Sequence, residues 1–212
     1  MFDGNKMDEI LHELYTWCEK EEVPVTAHCM MNGIEAYPHA SFHFGSASFW
    51  REVLDQYPNL HLNLAHFGWN PVPGHGYGSH HSWTQEICDM VIKYDHLYAD
   101  VAHHEVTSRI KLNELRDAYR QIANEFAGGV DKIRKRILYG SDWHVLRRIN
   151  NYESFMDKYI QLLEDTEFYS NMDDFLGLNA MEFLGLNKGG KNRRRLEKFY
   201  STPERQKPRW LE

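Results

Sequence analysis

His28, His66 and Asp142 each stand where a short apolar run gives way to a polar stretch: VPVTAHC, LHLNLAH and RILYGSD. Two imidazoles and a carboxylate are a ligand set for a divalent cation. An ion held there brings the pKa of a bound water to about 7 and polarises a carbonyl oxygen. Each residue also has an ordinary reading. Asp142 precedes a helical segment and is of the type that caps helix N-termini. A lone histidine at a strand end is commonly a structural hydrogen-bonding residue. Three units that each deliver a ligand-type side chain at the same register favour the metal reading.

Other polar residues cluster behind these three. Trp69 and Asn70 follow His66, and Trp143 and His144 follow Asp142. All four are candidates for substrate contact, with simple packing as the alternative. Arg147 or Arg148 is placed to hold a substrate carboxylate in a bidentate way, or else to begin a solvated helix. Asp100, near another strand end, reads as a structural acid. Cys29 adjoins His28, but neighbours on a strand point to opposite faces, which argues against a catalytic Cys–His pair. The same reasoning disfavours the adjacent pairs His80–His81 and His103–His104 as joint ligands. His39 and His43 lie in a loop.

The elements that must position these residues alternate. Met7–Glu22 is a helix with Ile10, Leu11, Leu14, Trp17 and Cys18 at helical spacing. Val23–Cys29 is a strand, Ala47–Tyr57 a helix, and Leu60–His66 a strand. Phe67–Ser82, rich in Gly, Pro and His, reads as an active-site loop or lid. Trp83–Lys93 is a helix, His96–Ala102 a strand, Val106–Phe126 a helix, and Ile137–Gly140 the fourth strand. Tyr152–Glu164 and Asp173–Leu186 are further helices, the second bent near Gly177. Strands end at about Cys29, His66, Val101 and Asp142, successive gaps of 37, 35 and 41 residues. That repeat implies parallel strands with right-handed crossovers, in either four units of a closed barrel or a small doubly wound sheet. No GxGxxG or Walker loop follows any strand, so barrel units are favoured.

Composition narrows the function classes. The 212 residues carry a net charge of −7 and are 42% apolar, enough for a core and unlike a general nucleic-acid binder. Three widely spaced cysteines without a CxxC fit a reducing cytoplasm. No apolar run approaches the roughly 18 residues of a membrane span, and the first 20 residues lack a signal-peptide core. Residues 188–212 hold nine Lys/Arg against three acids, leaving −13 on residues 1–187. This basic C-terminal extension reads as a surface segment lying on the acidic body, or as disorder, without a helical stripe.

VPVTAHC, NLHLNLAHFGW, HLYADVA, RILYGSDWH and GLNAMEFLGL, in that order, resemble the last four strands and final helix of the amidohydrolase superfamily. The branch with decarboxylases and lactonases is the most similar. The resemblance covers about residues 5–187 and implies an α/β fold of (β/α)8 TIM-barrel type, here the C-terminal four βα units plus C-terminal helices. It implies a divalent metal, commonly zinc, with His28 as the fifth-strand ligand. His66 matches the sixth-strand acid/base or second-metal ligand. Asp142 matches the eighth-strand ligand that also takes a proton from the attacking water. The family's first-strand H-x-H pair has no counterpart, which weakens or abolishes metal binding.

The expected activity is metal-dependent hydrolysis of a small carbonyl, lactone or amide substrate through a metal-activated water. A nonoxidative decarboxylase on the same site, or an inactive half-barrel subunit, are the alternatives. Open edges near Ala27 and Leu138 lead to an expected homo-oligomer or a missing N-terminal half.

Overall fold

Four short strands form one parallel sheet in the order β1-β2-β3-β4: β1 (Val25–His28), β2 (Leu62–Ala65), β3 (Leu97–Asp100) and β4 (Ile137–Leu138). The computed structural model of the chain describes residues 4–30, 45–68, 83–102, 104, 106, 109–148, 151–164, 166–167, 172–202 and 204–212. Ala27 pairs with Leu64, Leu64 with Ala99, and Ala99 with Ile137. Strand order therefore follows chain order without reversal. A doubly wound sheet would reverse at a switch point, so the arrangement is the barrel type.

The helices are α1 (Gly4–Glu21), α2 (Trp50–Gln56, entered through a 3-10 turn at Ala47–Phe49), α3 (Trp83–Lys93), α4 (Arg109–Glu125) and α5 (Val130–Arg134). Beyond β4 follow α6 (Trp143–Leu146), α7 (Phe155–Leu163), α8 (Asn179–Phe183) and α9 (Lys191–Phe199). Leu62, Leu64, Leu97, Ala99, Val101 and Ile137 bury one sheet face in the main core with Ile87, Met90, Tyr119 and Tyr159. Side chains alternate along a strand. Thr26, His28, Asn63, Tyr98, Asp100 and Leu138 therefore share the other face, where Tyr98 and Leu138 meet Phe183. All the polar candidates of the strands lie on this second face.

Three features differ from the sequence reading. Ile10, Leu14 and Trp17 of α1 are exposed; among the described residues α1 packs inward through Tyr15 and Cys18, against Val23, Val25, Tyr57 and Leu60. The edge of β4 is not open. The Tyr139 amide donates to the Phe175 carbonyl at 3.0 Å, and the Asn179 Nδ2 donates to the carbonyls of Ile137 and Arg134, both at 2.8 Å. The bend near Gly177 is a π-helical turn, Asp174–Leu178, and it brings Phe175 and Asn179 to that edge. The basic extension contains a helix, α9, despite lacking an apolar stripe. Polar contacts to the end of α1 hold it: Lys191 reaches the Lys20 carbonyl and Glu21, Asn192 the Glu22 carbonyl, and Arg195 the Glu21 carboxylate. Cations there also suit the negative end of the α1 dipole.

Candidate active site

His28 ends β1, and His66 follows the last residue of β2. Because β1 and β2 are adjacent, parallel and in register through His28 and Ala65, the two imidazoles meet. Their ring centres are 4.8 Å apart, edge to face. Imidazoles that share an ion at about 2.1 Å from nitrogen have ring centres within about 6 Å of each other, so the spacing is compatible with joint ligation. His28 is exposed on its strand, whereas His66 is only 8% exposed.

His66 is aimed by an unusual backbone. His66, Phe67 and Gly68 have φ of 69°, 45° and 73° in succession, a left-handed turn that L-residues enter only when their surroundings hold them there. Three of its backbone groups have side-chain partners. The His66 amide donates to Asp100 Oδ1 at 3.1 Å. The His66 carbonyl accepts from His104 Nε2 at 2.8 Å, and the Phe67 carbonyl accepts from the Thr84 hydroxyl at 2.8 Å. Gly68 is required: a Cβ there would lie 2.8 Å from the Trp83 Cβ and the Thr84 amide nitrogen. The imidazole Nδ1–H donates to the Ala102 carbonyl at 3.0 Å. That bond fixes the tautomer and leaves the Nε2 lone pair for a ligand or a proton.

Asp142 occupies the residue before α6 with φ and ψ both 50° and makes no side-chain cap. Its carbonyl, rather than its carboxylate, closes the first turn, accepting from the amides of Val145 and Leu146. The carboxylate instead lies 3.2 Å from His144 Nδ1. The capping role is thus not taken, and the acid is kept for other partners. Trp143 is 64% exposed, and His144 and Arg147 are exposed beside it. Trp69, Asn70, the loop of residues 69–82, His39, His43, His80, His81 and His103 lie outside the described residues.

Cys29 is fully buried, and burial, with the Glu86 carboxylate adding to it, pushes its thiol up to about 12. It is a core residue at neutral pH, as are the buried free thiols of Cys18 and Cys88. Among the described residues no group of three or more His, Cys, Asp or Glu is arranged to hold a metal ion. The residues present fit the two-imidazole part of a divalent-metal site, and further donors must come from elsewhere. Sequence reasoning gave Asp100 only a generic structural role, set the buried His104 aside as a ligand, and passed over Asn63 and Thr84. The H-F-G run after β2 was the available signal for the turn.

The amidohydrolase family model matches residues 2–186. The chain belongs to the amidohydrolase family. An amidohydrolase from Burkholderia multivorans, solved with bound zinc, is 11% identical at a TM-score of 0.53. The match covers 80% of this chain and 55% of that one. The same coverage and identity hold for a HEPES-bound structure of an amidohydrolase from that organism, at a TM-score of 0.51. Amidohydrolase 2 from Bifidobacterium longum subsp. infantis matches at 14% identity and a TM-score of 0.46, over 80% of this chain and 52% of that one. The two Burkholderia multivorans structures, at TM-scores of 0.53 and 0.51, establish the fold. The chain spans about half the length of the amidohydrolase structures it matches. The comparison with curated proteins gives no match. Among the described residues no helix is long and apolar enough to cross a membrane.

Proposed function

We propose that this chain carries half of a metal-dependent hydrolase site acting on a small carbonyl, lactone or amide substrate. The observation that carries the reading is the His28–His66 imidazole pair at the carboxyl ends of adjacent strands. This is where barrel folds place their chemistry. A divalent ion, for which zinc is the choice, supplies Lewis acidity and a water of low pKa when bound. His28 is a ligand in this reading. His66 offers its Nε2 lone pair as ligand or proton acceptor, its other nitrogen being tied to the Ala102 carbonyl. Asp142, free of capping duty, takes and returns the proton at its carboxylate. Trp143, His144 and Arg147 face the substrate, with Trp69 and Asn70 as further contacts.

Residues 1–187 form the barrel units and 188–212 an appended basic segment. The donors still needed belong to neighbouring βα units on the side of the exposed α1 stripe, through which the chain self-associates. The buried thiols suit a cytoplasmic setting. Metal analysis after equilibration with zinc tests the reading. Wild type is expected to retain zinc, and His28→Ala and His66→Ala each to lose affinity by more than about tenfold. A wild-type protein with no zinc above background overturns it.

A further inference from the structure

We propose that Asp100 is the positioning residue that decides which nitrogen of His66 is presented to the site. The inference rests on the reading of His66 as ligand or proton acceptor. One carboxylate oxygen, Oδ1, accepts from two backbone amides, those of His66 at 3.1 Å and Ala102 at 3.0 Å. The Ala102 carbonyl in turn accepts from His66 Nδ1 at 3.0 Å. The three residues thus close a ring of hydrogen bonds. Asp100 fixes where the His66 backbone stands and where the acceptor of its imidazole stands. The second oxygen, Oδ2, accepts from Asn63 Nδ2 at 2.7 Å, and Asn63 is itself buried, so the carboxylate is anchored to the middle of β2.

The surroundings are shaped to keep it there. Gly140, two residues past the end of β4, runs close over the carboxylate: a Cβ would lie 3.4 Å from Asp100 Oδ1 and 3.2 Å from the Ala102 Cβ. The His66 and Phe67 carbonyls of the left-handed turn are held by His104 and Thr84, and Asp100 is the group that links the turn to the imidazole. With its lone pairs directed at three donors, Asp100 acts through His66 and not on a substrate.

The distinction between hydrogen-bond geometry and charge gives the test. In Asp100→Asn the amide oxygen still accepts both backbone amides, and the Asn63 side chain turns its own oxygen toward the new NH2. In Asp100→Ala the ring is broken. In Asp100→Glu the charge remains but the oxygens are displaced by one methylene. Long-range 1H–15N NMR of the imidazoles, at a pH where they are neutral, reads the His66 tautomer without any metal. The Nδ1–H form is expected in wild type and Asp100→Asn, and a mixture with Nε2–H in Asp100→Ala and Asp100→Glu. Zinc affinity by chelator competition is expected to follow, with a loss of about 10- to 100-fold in the Ala and Glu variants.

If Asp100→Ala does not fold, the Asn and Glu variants carry the test alone. A wild-type tautomer in Asp100→Glu, or a mixture in Asp100→Asn, overturns the proposal. Absence of zinc binding in wild type with the expected tautomers would sink the metal reading while leaving the positioning role intact.

Discussion

At the scale of single residues, the candidate site is built as much from side chains that hold backbone as from the His28–His66 pair itself. His66, Phe67 and Asp142 all have positive φ at strand ends, and such strain persists only where neighbours over-determine it. Gly68→Ala should therefore destabilise by about 1–3 kcal/mol from the backbone alone. The approach to Trp83 and Thr84 adds to that. A lowered midpoint in urea at unchanged slope would register it, and an unchanged midpoint would mean that the turn relaxes freely. That His28 and His66 stand side by side was legible because each falls at the end of a strand in successive units. The clamp was not. Asn63, Thr84 and His104 are polar residues in apolar or irregular runs, and only three-dimensional contact shows that they converge on one turn.

At the scale of elements, strand–helix alternation was legible throughout, since apolar runs of four to seven residues separated by amphipathic stretches admit little else. Trp83–Lys93 was read with its observed bounds. Boundaries failed where tertiary contacts override local pattern. β4 is two residues long, because past Leu138 the chain turns its Tyr139 amide to the π-helical turn. Helix α9 forms by docking on α1, which charge pattern alone does not reveal. Asn179 is the residue on which the β4 edge depends. Asn179→Ala leaves the carbonyls of Ile137 and Arg134 without their shared donor, and should cost about 1–3 kcal/mol. Equilibrium unfolding measures this, and hydrogen exchange should show faster loss of protection at Tyr139 than at β2. Leu64→Ala, deep in the sheet core, should cost about 2–5 kcal/mol.

At the scale of the whole molecule, two properties are testable in solution. Ile10 and Trp17 of α1 are each about half exposed, at 52% and 53%, on a helix flanking the outermost strand β1. Light scattering of the 212-residue chain should return a multiple of the monomer mass, and Ile10→Glu with Trp17→Lys should return the monomer. A wild-type monomer contradicts the self-association proposed above. The second property is acid sensitivity. His96 stacks on His61 at 4.6 Å. Burial lowers its pKa, and His61 and Arg136 lower it further, while the nearby Asp95 and Glu182 carboxylates pull the other way. The folded state therefore binds this proton less readily than the unfolded chain. Stability is fully present above the ordinary histidine value of about 6.5 and is lost as pH falls from there through the folded value. Melting temperature should drop across that window, and His96→Asn should flatten the drop.

The seal on β4 also has a bearing on synthesis. The amide that closes this strand belongs to a residue 42 positions later in the chain than the carbonyl it serves. On the ribosome the sheet emerges strand by strand, but its last margin stays raw until Asn179 has cleared the exit tunnel. A pause in translation just after β4 would leave that margin bare for longest, and a nascent chain stalled there is the form most exposed to capture by a chaperone or by another unfinished strand.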